Sequence, residues 1–300
     1  MRITALFAGI LPLGIALAQS QPVIDVHVHS TNSTPQQALE RMKLLNIRFM
    51  VVSSLASDLP AWRDALKTNQ FAPGLVIPCD HGKAPYTGRQ CYDNNAEFPD
   101  VDWLRKELKA GNLRALAEFE TEYVGISPSD SRMEPYWALA EEFDVPVGIH
   151  MGPGPPGVAY QTSTIPVKSP NYRMTMGDPL LLEDVLLKHQ RLRLYVMHAG
   201  WPRLEPMIAL LYMHPGVYVD LAALQSPAVV SRSEYYSYLR RLIDAGFSKR
   251  IMFGSDFPDQ AAAGIEAIRN ADFLTAEQKS DILCGNAARF LKLSSSVCLP

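Results

Sequence analysis

Several absences narrow the reading before any motif is considered. Charge of one sign is missing: 28 Lys and Arg face 31 Asp and Glu for a net charge of −3, with no basic block. A nucleic-acid partner therefore has no electrostatic footing. Cysteine is scarce, four in 300 residues, and none forms a C-x-x-C pair, which disfavours a zinc site built from thiolates. Beyond the first 18 residues no apolar run approaches the roughly 20 residues that a membrane-spanning helix needs. No linker or low-complexity stretch divides the chain. What is present, 47% hydrophobic and 20% charged residues, is the make-up of a folded protein with a large core. Length alone leaves one domain or two open.

The first residues read as a secretory leader. Met1-Arg2 gives a positive end, Ile3 to Leu17 an apolar segment, and Ala16-Leu17-Ala18 a small-x-small cleavage site. A membrane anchor fits less well, because Pro12 and Gly14 interrupt the run. The expectation is a signal peptide over 1–18 and an exported chain over 19–300, periplasmic or secreted, with no membrane attachment after cleavage. Export permits disulfides. Cys79 and Cys91 bracket a polar, turn-rich segment and are the first choice for a bridge; Cys284 with Cys298 is the second.

After the leader, short β-branched runs alternate with amphipathic helical stretches. Candidate strands are Val23–Val28, Arg48–Ser53, Leu75–Pro78, Leu113–Phe119, Val145–Met151, Leu192–Met197, Val217–Leu221 and Arg250–Gly254. Candidate helices are Pro35–Leu45, Pro60–Thr68, Val101–Lys109, Glu134–Phe143, Pro179–Lys188, Leu204–Met213 and Glu234–Ala245, with more helix from Gln260 onward. Eight βα units predict an α/β fold, one (β/α)8 TIM barrel with its site at the carboxyl ends of the strands. A doubly wound open sheet is disfavoured, since no G-x-G-x-x-G follows the first strand.

Of seven histidines, four stand at strand ends: His27 and His29 on the first, His150 on the fifth, His198 on the sixth. The eighth strand runs into Ser255-Asp256. In Asp25-Val26-His27-Val28-His29 a period of two sends Asp25, His27 and His29 to one side and both valines to the other. With the valines against the helices, the imidazoles point inward. Two inward imidazoles, a third His and a carboxylate suit a divalent metal, zinc by preference. Each alone reads as structural, Asp256 as a helix cap for instance; it is their convergence that points to a metal. His81, His189 and His214 are poorer candidates, the last two at helix ends where a cationic ring suits the dipole.

The segments Ile24-Asp25-Val26-His27-Val28-His29, Gly148-Ile149-His150, Met197-His198-Ala199-Gly200 and Phe253-Gly254-Ser255-Asp256-Phe257-Pro258 resemble the signature strands of the amidohydrolase superfamily. More narrowly they resemble its amidohydrolase-related branch, which includes aminocarboxymuconate semialdehyde decarboxylase and related decarboxylases and lactonases. The resemblance extends to Asn286–Phe290. It implies that His27, His29, His150 and Asp256 hold one catalytic metal, Zn2+, with a water at the open position. Asp256 would move the proton, and His198 would orient the water, polarise the substrate or serve as acid and base. Glu118 falls where binuclear members carry a bridging Lys or Glu. Its strand has no Lys, so one metal with Glu118 in support is favoured and a Glu118-bridged pair is the alternative. Asp25 is expected to accept a supporting hydrogen bond, and Asp220 to support, pack or cap.

The long stretch Val158 to Met176 reads as a lid carrying Tyr160, Tyr172 and Arg173, and Trp201 follows His198. These four are candidate substrate contacts, with Arg173 a carboxylate clamp. The first function expected is metal-dependent hydrolysis of an ester, lactone or amide bond in a small molecule. The alternative is a metal-dependent carboxy-lyase acting on an unsaturated or aromatic acid. A non-catalytic binding barrel is a third reading, weakened by the complete ligand set. A homo-oligomer is compatible with the sequence.

Overall fold

The computed structural model describes residues 21–65, 69–85, 87–160, 162 and 168–299. The expected leader and the last turn of the second expected helix, 66–68, lie outside the described residues. Eight parallel strands pair in sequence order: β1 (Val23–His29), β2 (Ile47–Ser54), β3 (Phe71–Ile77), β4 (Ala115–Phe119), β5 (Pro146–His150), β6 (Arg193–Met197), β7 (Tyr218–Asp220) and β8 (Ile251–Met252). The ring closes where Val26 N–H donates to Phe253 O (3.1 Å) and Asp256 N–H to His27 O (2.8 Å). This is the (β/α)8 barrel that the alternation predicts.

The helices between strands are α1 (Pro35–Leu45), α2 (Leu59–Ala65), α3 (Val101–Lys109), α4 (Glu134–Phe143), α5 (Glu183–Lys188), α6 (Leu204–Met213), α7 (Arg232–Asp244) and α8 (Ala261–Arg269). Their starts follow local chemistry. At α1 the Thr34 hydroxyl accepts from Gln37 N–H (3.2 Å) while Gln37 Oε1 accepts from Thr34 N–H (2.9 Å), with Pro35 at the first helical position. At α7 Ser231 Oγ accepts from Glu234 N–H (3.2 Å). A final helical run, α9 (Ala276–Ser280), a π turn and α10 (Asn286–Phe290), packs against the barrel floor. His189 and His214 stand just past α5 and α6, as expected. Both disulfides are formed, Cys79–Cys91 and Cys284–Cys298. No helix among the described residues is long and apolar enough to cross a membrane.

Two apolar layers result. One packs helices against outward strand residues such as Val28, Met50, Leu116 and Val196; the other fills the lumen with Ile24, Val26, Val51, Ala117, Tyr195, Met197 and the last helix. Here β1 departs from strict alternation, because Val26 faces the lumen and only Val28 faces the helices. The cause is a register shift between Asp25 and Val28, one extra residue in β1 against β2. Such a bulge reverses the facing of every later side chain, so His27 and His29 point inward above Ile24 and Val26 rather than above Asp25. A second shift in β4, between Ala115 and Glu118, does the same for Glu118 above Ala117. β3 also begins earlier than Leu75, because Ala72-Pro73-Gly74 pairs as strand. Gly74 is needed there: a side chain would come within 2.6 Å of Ala115 O.

Candidate metal centre

The carboxyl ends of the strands enclose a polar cluster with almost no access to solvent. His27, Glu118, Glu120, Glu122, His150, His198, Asp220 and Asp256 are each at most 7% exposed. Gly254 makes room for it, since a Cβ there would lie 2.8 Å from His27 Cβ. Asp25 takes no part in the cluster. Its Oδ1 accepts from His27 N–H (3.2 Å) and Ser255 N–H (2.9 Å), tying β1 to the chain after β8, and burial pushes its carboxyl up to about 6.

Each imidazole is oriented by one nitrogen, which decides where the other points. His27 Nδ1–H donates to Asp220 Oδ2 (3.0 Å), so Nε2 turns inward, 3.6 Å from Asp256 Oδ1 and 3.7 Å from Glu118 Oε1. That Nε2 is buried and has no hydrogen-bond partner. His29 Nε2 lies 3.1 Å from Asp256 Oδ1 and 3.3 Å from Glu118 Oε2. His198 Nδ1–H donates to Ala222 O (2.9 Å), and its Nε2 is hydrogen-bonded to His150 Nδ1 (3.1 Å). Asp220 serves twice, its Oδ1 accepting from His198 N–H (2.9 Å) and Ala222 N–H (3.0 Å).

The electrostatics follow from burial and neighbours. Burial disfavours a charged His27, but Asp220, Asp256 and Glu118 overcome this and raise it to about 10. Burial and the adjacent His150 lower His198 to about 4, so its ring is neutral at pH 7. Against the cost of burial, His29 and its neighbours hold both Asp256 and Glu118 below the usual carboxylate range. Burial pushes Glu120 and Glu122 upward, with Glu118 adding to the shift at Glu120.

Within this cluster two groups of donor atoms lie close enough to share an ion, His27, His29 and Asp256, and His27, Glu118 and His198; a third group, Asp80, His81 and Glu97, follows β3 outside it. Imidazole nitrogens and carboxylate oxygens fit a divalent cation, and the orphaned His27 Nε2 is the atom such an ion would satisfy. Three of the four expected ligands, His27, His29 and Asp256, thus converge. His150 stands at the margin, its Nδ1 3.4 Å from Glu118 Oε1 and its Nε2 3.2 Å from Glu122 Oε1. Glu118 lies among the ligands, within 3.7 Å of His27, His29 and His150 nitrogens.

The expected substrate contacts separate. Tyr172 is beside the site: its hydroxyl accepts from Gly154 N–H (2.8 Å), and its ring meets Tyr123, which in turn meets His150 (5.2 Å each). Trp201 Nε1–H instead donates to Glu234 Oε1 (3.3 Å), and Arg173 Nη1 to the carbonyls of Tyr172 and Pro170. Tyr160 is 69% exposed. Glu122 and Tyr123 escape sequence reasoning because they follow β4 on a 3-10 turn, Thr121–Val124, where period two no longer applies.

Residues 24–293 match the family model described as Amidohydrolase. The chain belongs to the amidohydrolase family. The resemblance of the strand-end motifs is thereby borne out at family level. No curated protein matches the chain. Among solved structures, this amidohydrolase is similar to a 2,6-dihydroxybenzoate decarboxylase from Rhizobium (14% identity, 91% of this chain and 99% of that one, TM-score 0.59). It is similar to a probable 2-pyrone-4,6-dicarboxylic acid hydrolase from Acinetobacter baumannii (13%, 90% and 99%, 0.62). A third is a 5-carboxyvanillate decarboxylase from Novosphingobium aromaticivorans with bound manganese (14%, 85% and 80%, 0.58). At these identities the likeness is one of fold.

Proposed function

We propose that this amidohydrolase is a metal-dependent carboxy-lyase acting on a small aromatic or unsaturated carboxylic acid. The observation that carries the reading is the buried meeting of His27 Nε2, His29 Nε2 and Asp256 Oδ1 beside a neutral His198. Decarboxylases on the same fold support the choice of reaction over hydrolysis. A divalent cation held by His27, His29 and Asp256, with Glu118 or His150 completing the set, would supply positive charge to anchor a carboxylate and accept developing negative charge. In the reaction the bond between the carboxyl carbon and its neighbour breaks, carbon dioxide leaves, and the neighbouring carbon keeps the electron pair and takes a proton. Asp256 and His198 are the residues for that proton: a carboxylate and a neutral imidazole, both facing the cluster and able to hold one and pass it on. Asp220 holds His27 and His198 in place throughout.

Hydrolysis is the second reading, favoured by the same ligand set and by a neighbour of this fold named as a probable hydrolase. Incubation of the metal-loaded protein with a panel of hydroxybenzoic and unsaturated acids is expected to release carbon dioxide, and chelation to abolish it. Titratable acid from lactones, with no carbon dioxide from any acid, would replace the first reading with the second.

A further inference from the structure

Beside the ligand cluster lies a small cavity of about 20 Å3, walled by His29, Phe257, Leu55 and Val76, with Ala84 and Pro85 over it. Besides His29, three polar residues line it: Thr31 after β1, Ser53 from the end of β2 and Glu120 from just past β4, the last two 2% and 1% exposed. Neither Ser53 Oγ nor Glu120 Oε2 has a hydrogen-bond partner. A buried, unsatisfied hydroxyl and carboxyl on one cavity each cost about 1–3 kcal/mol, which a bound group meeting both would relieve. The volume suits a single oxygen-sized group.

We propose that Ser53 and Glu120 form a subsite for a hydroxyl substituent of the substrate, seated against metal ligand His29. A hydroxyl both donates and accepts, so it satisfies Glu120 and Ser53 together, which a hydrogen, a methyl or a halogen does not. Ala84 and Pro85 belong to the segment closed by Cys79–Cys91, which fixes the roof of the cavity. The substrate class is thereby narrowed from carboxylic acids to hydroxyl-bearing ones; this rests on the carboxy-lyase reading for the acid, not for the hydroxyl.

The test is equilibrium binding of benzoate and 2-hydroxybenzoate to the metal-loaded wild type, Ser53→Ala and Glu120→Gln, with thermal unfolding as the control for folding. The wild type is expected to prefer the hydroxylated acid, and Ser53→Ala to lose about tenfold of that preference, the worth of one hydrogen bond, while binding benzoate as before. Glu120→Gln keeps size and loses part of the preference. An unchanged preference in both variants, or none in the wild type, overturns the proposal and leaves an ordered water as the occupant. Binding needs no turnover. Discrimination without carbon dioxide release therefore removes the carboxy-lyase reading alone, and release without discrimination removes the subsite alone.

Discussion

The two sides of the site are built on opposite principles. On the β1 and β8 side, His27, His29 and Asp256 aim nitrogen and oxygen atoms at one point, each within reach of an opposite charge. On the β4 side three glutamates, Glu118, Glu120 and Glu122, stand buried around one imidazole, His150. Among the described residues none of these carboxylates has a Lys or Arg within ion-pairing distance. The first side is complementary within itself; the second carries surplus negative charge that only protons, a cation or a ligand can offset. The difference separates the side proposed to hold a metal from the side that sets the charge around it, with Glu118 reaching both.

The largest effect expected is from His27→Ala. It removes the atom common to both donor groups, so metal analysis should find the protein unloaded. Activity should fall by more than the ~100-fold upper range for an outer contact. Glu122→Gln should keep its metal. If both variants lose it equally, the division between the sides fails. Asp220→Asn comes next: the His27 ring loses its acceptor, and metal affinity should drop about 10–100-fold with the fold intact, as read by titration against a chelator.

A third comparison sets Glu118 against Glu122 in metal-free protein. Glu118 is the shared neighbour of three histidines, so Glu118→Gln breaks a buried pair and should cost about 3 kcal/mol in denaturant unfolding at pH 7. Glu122 is raised by burial. A raised carboxyl favours the folded state at low pH and loses that contribution as pH rises through its folded value. Glu122→Gln should therefore flatten the decline in stability as pH rises, without the loss at pH 7 expected of Glu118→Gln.

How far the sequence revealed this depends on which side is considered. The β1 side was legible because H-x-H on a strand and a carboxylate after the last strand are positional signals, and the barrel fold brings strand ends together. The bulge in β1 was not legible, since Asp25 to His29 alternates without a break and the extra residue shows only in pairing with β2. It left the histidines inward but reversed what lies beneath them. β3 was partly hidden because Pro73-Gly74 carries turn chemistry, while the structure uses the glycine for close approach to β4. Asp220 offered one polar residue on a three-residue strand, and its double role depends on two histidines far away in sequence. Glu122 lies past its strand, where no periodicity could place it.

The smallest effect expected is also the most direct reading of the contrast, in the charge states of His27 and His198 without metal. His27 is raised to about 10, so its contribution to stability is fully present below the unfolded value near 6.5 and is lost as pH rises through about 10. His198 is lowered to about 4; its contribution is present above 6.5 and is lost as pH falls through about 4. Imidazole NMR of the metal-free protein at pH 7.5 should show one as a cation and the other neutral. Metal loading must displace the His27 proton, so the loaded protein should lose the alkaline decline and release acid on binding. His198, already neutral, should keep its acid decline. A loaded protein that retains the His27 cation would place the metal elsewhere and undo the assignment of the β1 side as the one that binds it.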